Sequence, residues 1–420
     1  MENIMRHICV LFITLLLVSN IYGQEKFTKD LSLKQALEIG LNNHPEVQKS
    51  RQKIELNKGR FFKDISPPPL NVSISNEFIP SGSGLSNFDE RTFEITQGFE
   101  FPTIYFAKGS RANSEIKASE YGFEQTQNSI KTQIKKAYFN AQAKQMLLKT
   151  AEENLQIASD FYKKAEIRYN VGEGSNLELL TSKTQFTEAN AMISLAKREY
   201  HTALNHLNFI LGYNLEVDFQ NIKFSDSLAY IKMSLTLDEL INKSLLTNPA
   251  LKKANTELES SEINKSIASM SYLPSFNASY LFQSRNSNNG YYGFRLGLSL
   301  PLWFMFDQKG KVQEANANYM INTYELQNIK NYIVQSINNA FVDFVNDDIQ
   351  IQLYKNELLP QAEEIFKTAN LSYQAGEISY LEFLQAKFTT INTRTNYIKS
   401  LYDFKEAIIN LEESTSIILE

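Results

Sequence analysis

Apolar residues recur in this chain with two different periods, and the switches between them mark out its elements. Between Phe106 and Tyr169, the residues Ile130, Ile134, Ala137, Ala141, Leu148, Ala151, Leu155, Ala158, Tyr162, Ala165 and Tyr169 follow alternating steps of four and three, broken only at Lys144. No proline falls in that stretch, and its only glycines are Gly109 and Gly122. The pattern is a coiled-coil seam. At 1.5 Å per residue, a helix of about 64 residues extends roughly 96 Å. A second stretch, Gly310 to Tyr373, is free of proline until Pro360 and carries Asp348 and Gln352 in the matching row. Pro360 predicts a kink or a local opening of that helix. Shorter helices are expected from Ser175 to about Leu211 and from Ser379 to about Glu413. Two more start at Pro45 and Pro249, where proline suits the first helical position. Stacked end to end, one short helix from each pair matches one long helix in length.

Elsewhere the period falls to two. Residues 70–78 and 93–101 alternate in the first half, and 275–283 and 292–300 in the second. Phe294, Leu296, Leu298 and Leu300 point one way, and Arg295, Gly297 and Ser299 the other. Polar runs, Ser81 to Gly84 and Ser284 to Gly290, separate the strands. Strands of about ten residues with one apolar and one polar face are the signature of an outer-membrane barrel. An ordinary hairpin packed on a core reads similarly. Two features favour the barrel: one hairpin per repeat, and an aromatic cluster just past a proline in each. Those clusters are Tyr105 and Phe106 after Pro102, and Trp303, Phe304 and Phe306 after Pro301.

The halves are copies of one unit. Tyr169 to Leu180 and Tyr373 to Leu384 align without a gap, with Tyr, Gly, Glu, Ser, Leu, Glu and Leu in register. Gly172 and Gly376 suit the left-handed residue that ends a helix. Ser175 with Glu178, and Ser379 with Glu382, have capping-box spacing, as do Ser32 with Gln35 and Thr236 with Glu239. The chain therefore divides into a first repeat over 24–211, a connector over 212–234 and a second repeat over 235–420.

Composition narrows the class. A net charge of −5 with 21% charged residues leaves no nucleic-acid footprint. Residues 1–23 read as a secretory signal: Arg6 and His7 precede an apolar run, Ile8 to Val18, too short to span a bilayer. The one cysteine, Cys9, lies in that run, so the mature chain is expected to lack a thiol, a disulfide and an acylated cysteine. No later run reaches spanning length, so entry into a membrane would be by strands. Four strands cannot close alone, and open sheet edges in lipid are costly. Two chains would supply eight strands and three would supply twelve.

At these residues the chain resembles the TolC-type outer-membrane efflux family. The resemblance rests on Arg168 to Leu180, on Tyr373 to Leu384, and on Leu31-Ser32-Leu33 and Leu235-Thr236-Leu237 leading to His44-Pro45 and Asn248-Pro249. It covers nearly the whole mature chain. The Phe101-Pro102 and Leu300-Pro301 junctions are most similar to the cation-efflux branch. The resemblance implies a mainly α fold with a small β part: a homotrimer sharing a twelve-stranded barrel, continued by a periplasmic coiled-coil tunnel. It also implies docking of the turns on a periplasmic adaptor that serves an inner-membrane pump.

It carries over site residues as well. Glu178 and Glu382, six positions after the turn glycines, correspond to acidic residues at the periplasmic mouth. The next family position, often acidic, is Thr181 in one half and Gln385 in the other. Rings of carboxylates attract cations and raise one another's pKa, whereas the local reading of both Glu residues is the capping box. Tyr169, Gly172, Glu173 and Ser175, with Tyr373, Gly376, Glu377 and Ser379, form the turns that would dock the adaptor. No metal site or cofactor is expected. His44, His201 and His206 have no ligand spacing, and a wide duct leaves selection to the pump. No catalytic motif is present. The competing readings are a periplasmic coiled-coil tether whose hairpins are core, a duct for type I protein secretion, and a hydrolase using a carboxylate pair.

Overall fold

The computed structural model describes residues 30–212, 222–285 and 288–419. The expected signal segment and part of the expected connector lie outside them. The first repeat runs β1 (Asp30–Leu31), α1 (Leu33–Asn43), α2 (Pro45–Ile65), β2 (Asn71–Glu77), β3 (Glu90–Phe99), α3 (Pro102–Asn170) and α4 (Asn176–Ile210). After β4 (Lys223–Phe224) the second runs α5 (Leu237–Thr247), α6 (Pro249–Met270), β5 (Ser275–Arg285) and β6 (Asn288–Ser299). It ends with α7 (Asp307–Leu353), a π-helical turn (Tyr354–Leu358), α8 (Leu359–Ala375) and α9 (Tyr380–Thr415).

Helix α3 has 69 residues, which makes it roughly 100 Å long. Its counterpart, Asp307 to Ala375, spans the same number in three pieces of 47, 5 and 17 residues. The break follows from Pro360. Proline lacks an N–H, and its ring excludes the carbonyl four residues back, at Asn356. The ladder widens by one residue instead, and the Leu359 N–H donates to the Tyr354 carbonyl.

Short helices pack along the long ones: α2 and α4 on α3, α6 on α7, and α9 on both α7 and α8. The end of α4 abuts the joint between α1 and α2. There Gly212 has φ +76°, and a Cβ on it would lie 2.9 Å from the Asn43 backbone carbonyl. The repeats meet through α3, which packs on α6 and α9. A partly buried ion pair between Lys135 and Glu412 bridges α3 and α9.

The core sits at the middle of the rods, where the connector wraps them. Tyr138 is fully buried, its ring edge-on to Phe139 and Phe224. Its hydroxyl donates to the Leu31 carbonyl (2.9 Å) and to Asp226 Oδ2 (3.0 Å). The same Asp226 oxygen accepts the Leu33 N–H at 2.6 Å, so one connector carboxylate fixes the start of α1. Strand β4 adds parallel to β1. Tyr230 donates to Asp348 Oδ1 (2.8 Å), whose other oxygen accepts from Gln352 (2.6 Å). The polar break in the second seam thus holds the connector. Lys144, the break in the first, pairs with Glu199 of α4 at 2.8 Å.

The two hairpins merge into one antiparallel sheet in the order β2-β3-β5-β6, with β3 and β5 joining the repeats. Strands β5 and β6 run further toward their turn than alternation predicts. A register shift after Gln283 lets Ser284 and Arg285 pair with Asn289 and Asn288. One face carries Ile74, Phe93, Ile95, Tyr280, Phe282, Phe294, Leu296 and Leu298, matched across the strands. The other carries Thr96 bonded to Ser279 (2.8 Å) and Arg295 paired with Glu94 (3.0 Å). The apolar face is not covered by the rest of the chain: Ile74, Phe294 and Leu296 are about 70% exposed. That removes the tether reading, which requires the hairpins to be core.

Candidate functional site at the two turns

Both turns close with the same backbone. The Glu173 N–H donates to the Arg168 carbonyl (2.9 Å), and the Gly172 N–H to that of Tyr169 (3.1 Å). In the second copy the Glu377 N–H reaches Ser372 (2.9 Å) and the Gly376 N–H reaches Tyr373 (3.1 Å). This paired arrangement is a Schellman motif, and its left-handed residue is Gly172 at φ +80° and Gly376 at φ +77°.

The next helices then differ. Ser379 and Glu382 form a complete capping box, the carboxylate accepting from the Ser379 N–H (2.7 Å) and hydroxyl (2.8 Å). Those bonds hold the Glu382 pKa below the usual carboxylate range. At the first turn Ser175 Oγ accepts the Glu178 N–H (3.1 Å), but the carboxylate does not return the bond. It accepts instead from Tyr373 Oη (2.9 Å) and Arg168 Nη1 (3.3 Å). The expected first capping box is therefore half-formed, because an arginine and a tyrosine of the neighbouring helices offer better donors than a backbone amide near water. The box expected at Thr236 and Glu239 is also missing. Thr236 makes no side-chain cap bond, and Asp238 with Glu239 lies in the first turn, at the positive helix end.

An aromatic cluster locks the hairpins together just above the turns. Phe161 of α3 stacks on Phe383 of α9 at 4.2 Å and touches Tyr373 and Tyr380. Burial and the nearby Tyr373 and Glu178 push the Tyr380 pKa up to about 12. Beside this cluster, Lys387 is 3% exposed, and burial lowers its pKa to about 8. Sequence reading did not single out Phe161, Tyr380, Phe383 or Lys387. The available signal was three aromatics, Tyr373, Tyr380 and Phe383, crowding the second turn only.

Of the expected site residues, Glu178 and Tyr373 are brought together across the repeats. Glu382 and Gln385 lie exposed on α9. Tyr169, Gly172, Glu173, Ser175, Gly376, Glu377 and Ser379 are exposed at the tips. Ile167, Val171, Leu177, Leu180 and Leu381 add exposed apolar surface there.

The model of the outer membrane efflux protein family matches residues 104–213 and 240–416, most of the chain and both repeats. The chain belongs to the outer membrane efflux protein family. It is 22% identical over 411 residues to the probable outer membrane lipoprotein SilC of Salmonella typhimurium, covering 93% of this chain and 86% of that one. It is 23% identical over 403 residues to the cation efflux system protein CusC of Escherichia coli K12, covering 90% and 85%. Its fold matches the crystal structure of the Campylobacter jejuni CmeC outer membrane channel with a TM-score of 0.78 at 17% identity, covering 91% of this chain and 85% of that one. As a member of this efflux family the chain works at the outer membrane, and the four-stranded sheet is the part whose surface suits lipid. Among the described residues no helix is long and apolar enough to cross a bilayer.

Proposed function

We propose that this chain is the outer-membrane duct of a tripartite efflux system, a passive conduit that receives cargo from an inner-membrane pump through a periplasmic adaptor. One observation carries the reading: a single sheet built from both repeats, apolar on one exposed face, stands on helical rods roughly 100 Å long. Within the chain β2 and β6 each pair on one side only. In lipid those edges must be completed. Three copies supply twelve strands, and the rods then continue the barrel as a periplasmic tunnel.

The proposed units are 24–211 and 235–420, joined by 212–234, with the connector clasping the rods at their middle. The tips around Gly172 and Gly376 are the proposed adaptor contacts, since they are tight, exposed and rimmed with apolar residues. Glu178, Glu382 and Gln385 are proposed to line the mouth in different capacities. Glu178 ties the hairpins to each other. Glu382, exposed and held ionised by its cap, presents charge to passing cations.

Single-channel recording in planar bilayers tests the duct directly. Purified protein should insert and give discrete steps of uniform height. A folded protein that binds lipid without conducting would overturn the reading.

A further inference from the structure

Between the sheet and the middle of the rods, helices α2, α3, α6 and α7 lie side by side: α3 packs on α2 and α6, and α6 on α7. Residues of all four line one groove of about 950 Å³, from Ser50 on α2 across to Asn322 on α7. Four neighbouring helices share a recess on the concave side of their layer. At Asn264 and Asn318 the groove joins a second recess, of about 540 Å³, which reaches Ser275 and Ser299. These serines pair across β5 and β6 and stand on the polar sheet face, in step with Ser279 and Arg295. The groove therefore opens on the side of the polar sheet face, which in the proposed duct is the bore.

Its charges are unevenly matched. Lys53, Arg60, Arg111 and Lys253 line it, against Glu115 and Glu257. Both carboxylates are engaged: Glu115 lies 3.5 Å from Arg111 Nε, and Glu257 lies 3.5 Å from Lys253 Nζ. Arg111 is held further by Asp64 (2.6 Å) and by Asn264 Oδ1 (3.2 Å). That leaves Lys53 and Arg60, both exposed on α2. Among the described residues Lys53 has no hydrogen-bond or ion-pair partner, and Arg60 donates only to the neutral Asn57 Oδ1 at 3.3 Å. Seven residues separate them, two turns along one helix face, or roughly 10 Å. The excess belongs to the first repeat alone. Counting from Pro45 and Pro249, the positions of Lys53 and Arg60 are filled in the second repeat by Glu257 and Asn264. Gln125, Asn318 and Asn322 add uncharged amide donors to the lining.

We propose that this groove is an anion-binding station, where Lys53 and Arg60 hold small solutes bearing phosphate or carboxylate groups. Its place in the bore rests on the duct reading; its affinity for anions does not. A recess with low-dielectric walls and two uncommitted cations concentrates anions, and the amides beside them can complete an anion's hydrogen bonds. The groove lies against residues 111–126 of α3, toward the sheet, whereas the tip carboxylates stand at the other end of that helix. Charge along the passage thus changes sign between the tips and the sheet.

Cys9 is the only cysteine of the chain, so Gln125→Cys adds one reporter thiol within the groove, at an exposed position. In the full reconstituted chain at low ionic strength, an anionic methanethiosulfonate should label it about tenfold faster than a cationic one, each rate taken relative to a free thiol. Lys53→Gln with Arg60→Gln should remove most of that preference. Lys49→Gln with Lys58→Gln, which removes two paired lysines of the same helix, should leave it in place. Inorganic pyrophosphate should slow anionic labelling in the parent but not in the Lys53 and Arg60 variant. Equal labelling by both reagents would overturn the proposal, and so would pyrophosphate protection that survives loss of both cations. Labelling needs no current, so the two readings separate. A conducting protein without the preference rejects the station and keeps the duct; a non-conducting protein with it rejects the duct and keeps the station.

Discussion

At the turn between α3 and α4, the Glu178 carboxylate leaves its own serine for Arg168 and Tyr373. At the turn between α8 and α9, Glu382 stays on Ser379. The main-chain closure is the same in both, down to the left-handed glycine. Duplication has conserved the local geometry and reassigned the long-range partners. The lysines show the same split. Lys183 and Lys387 occupy the same register, yet Lys183 is exposed on α4 whereas Lys387 is buried on α9. One repeat's return helix shows this position to solvent, and the other packs it against the bundle.

The shared backbone makes the largest prediction. Gly172→Val and Gly376→Val should each cost about 3 kcal/mol by denaturant unfolding, since a β-branched residue strains a left-handed site. Costs that differ greatly between the two would break the equivalence of the turns.

Lys387 comes next. Its pKa is lowered to about 8, so the folded chain sheds this proton before the unfolded chain does. Stability from this group therefore rises with pH between about 8 and its ordinary value of 10.5. Lys387→Met should flatten that rise and, allowing for residual solvent screening, stabilise the protein near neutral pH by about 1–2 kcal/mol. Lys183→Met should do neither.

A smaller effect belongs to the tie across the hairpins. Tyr373→Phe and Glu178→Gln should each lose about 1 kcal/mol and couple in a double-mutant cycle, because the two groups share a hydrogen bond. Glu382→Gln paired with Tyr373→Phe should show no coupling. The least effect is expected at the caps. Ser379→Ala should cost about 1 kcal/mol or less. As pH falls through the lowered Glu382 pKa, the wild-type cap should weaken and the difference from Ser379→Ala should shrink.

What could be read before folding was what depends on near neighbours. The four-and-three spacing of α3, the alternation of β5 and β6, the proline starts of α2 and α6 and the glycine stops are all local. A local opening of the helix at Pro360 was legible for the same reason, because the clash lies within one helical turn; its π form was not. What escaped was decided by residues far away in the chain. The partner of Glu178 is Tyr373, and nothing near Glu178 in sequence announces it. Lys387 shares a register with Lys183, and the packing of α9 buries one while the other stays exposed. Thr236 has the spacing of a capping box but makes no cap bond. The strand ends at Arg285 and Asn288 moved because a bulge resets pairing after Gln283.

The central claim is that four strands from each chain are completed by other copies around a bore. Ser73→Cys with Arg295→Cys puts thiols on the polar face of opposite edge strands, three strand spacings or roughly 14 Å apart within one chain, too far for a disulfide. Cysteine scanning along β6 would then find the register that joins one chain's β6 to the next chain's β2. Oxidation in the membrane should produce a covalent species of three chains and nothing larger. A closed species of two chains, or chains that never cross-link at any register while remaining folded, would contradict the account.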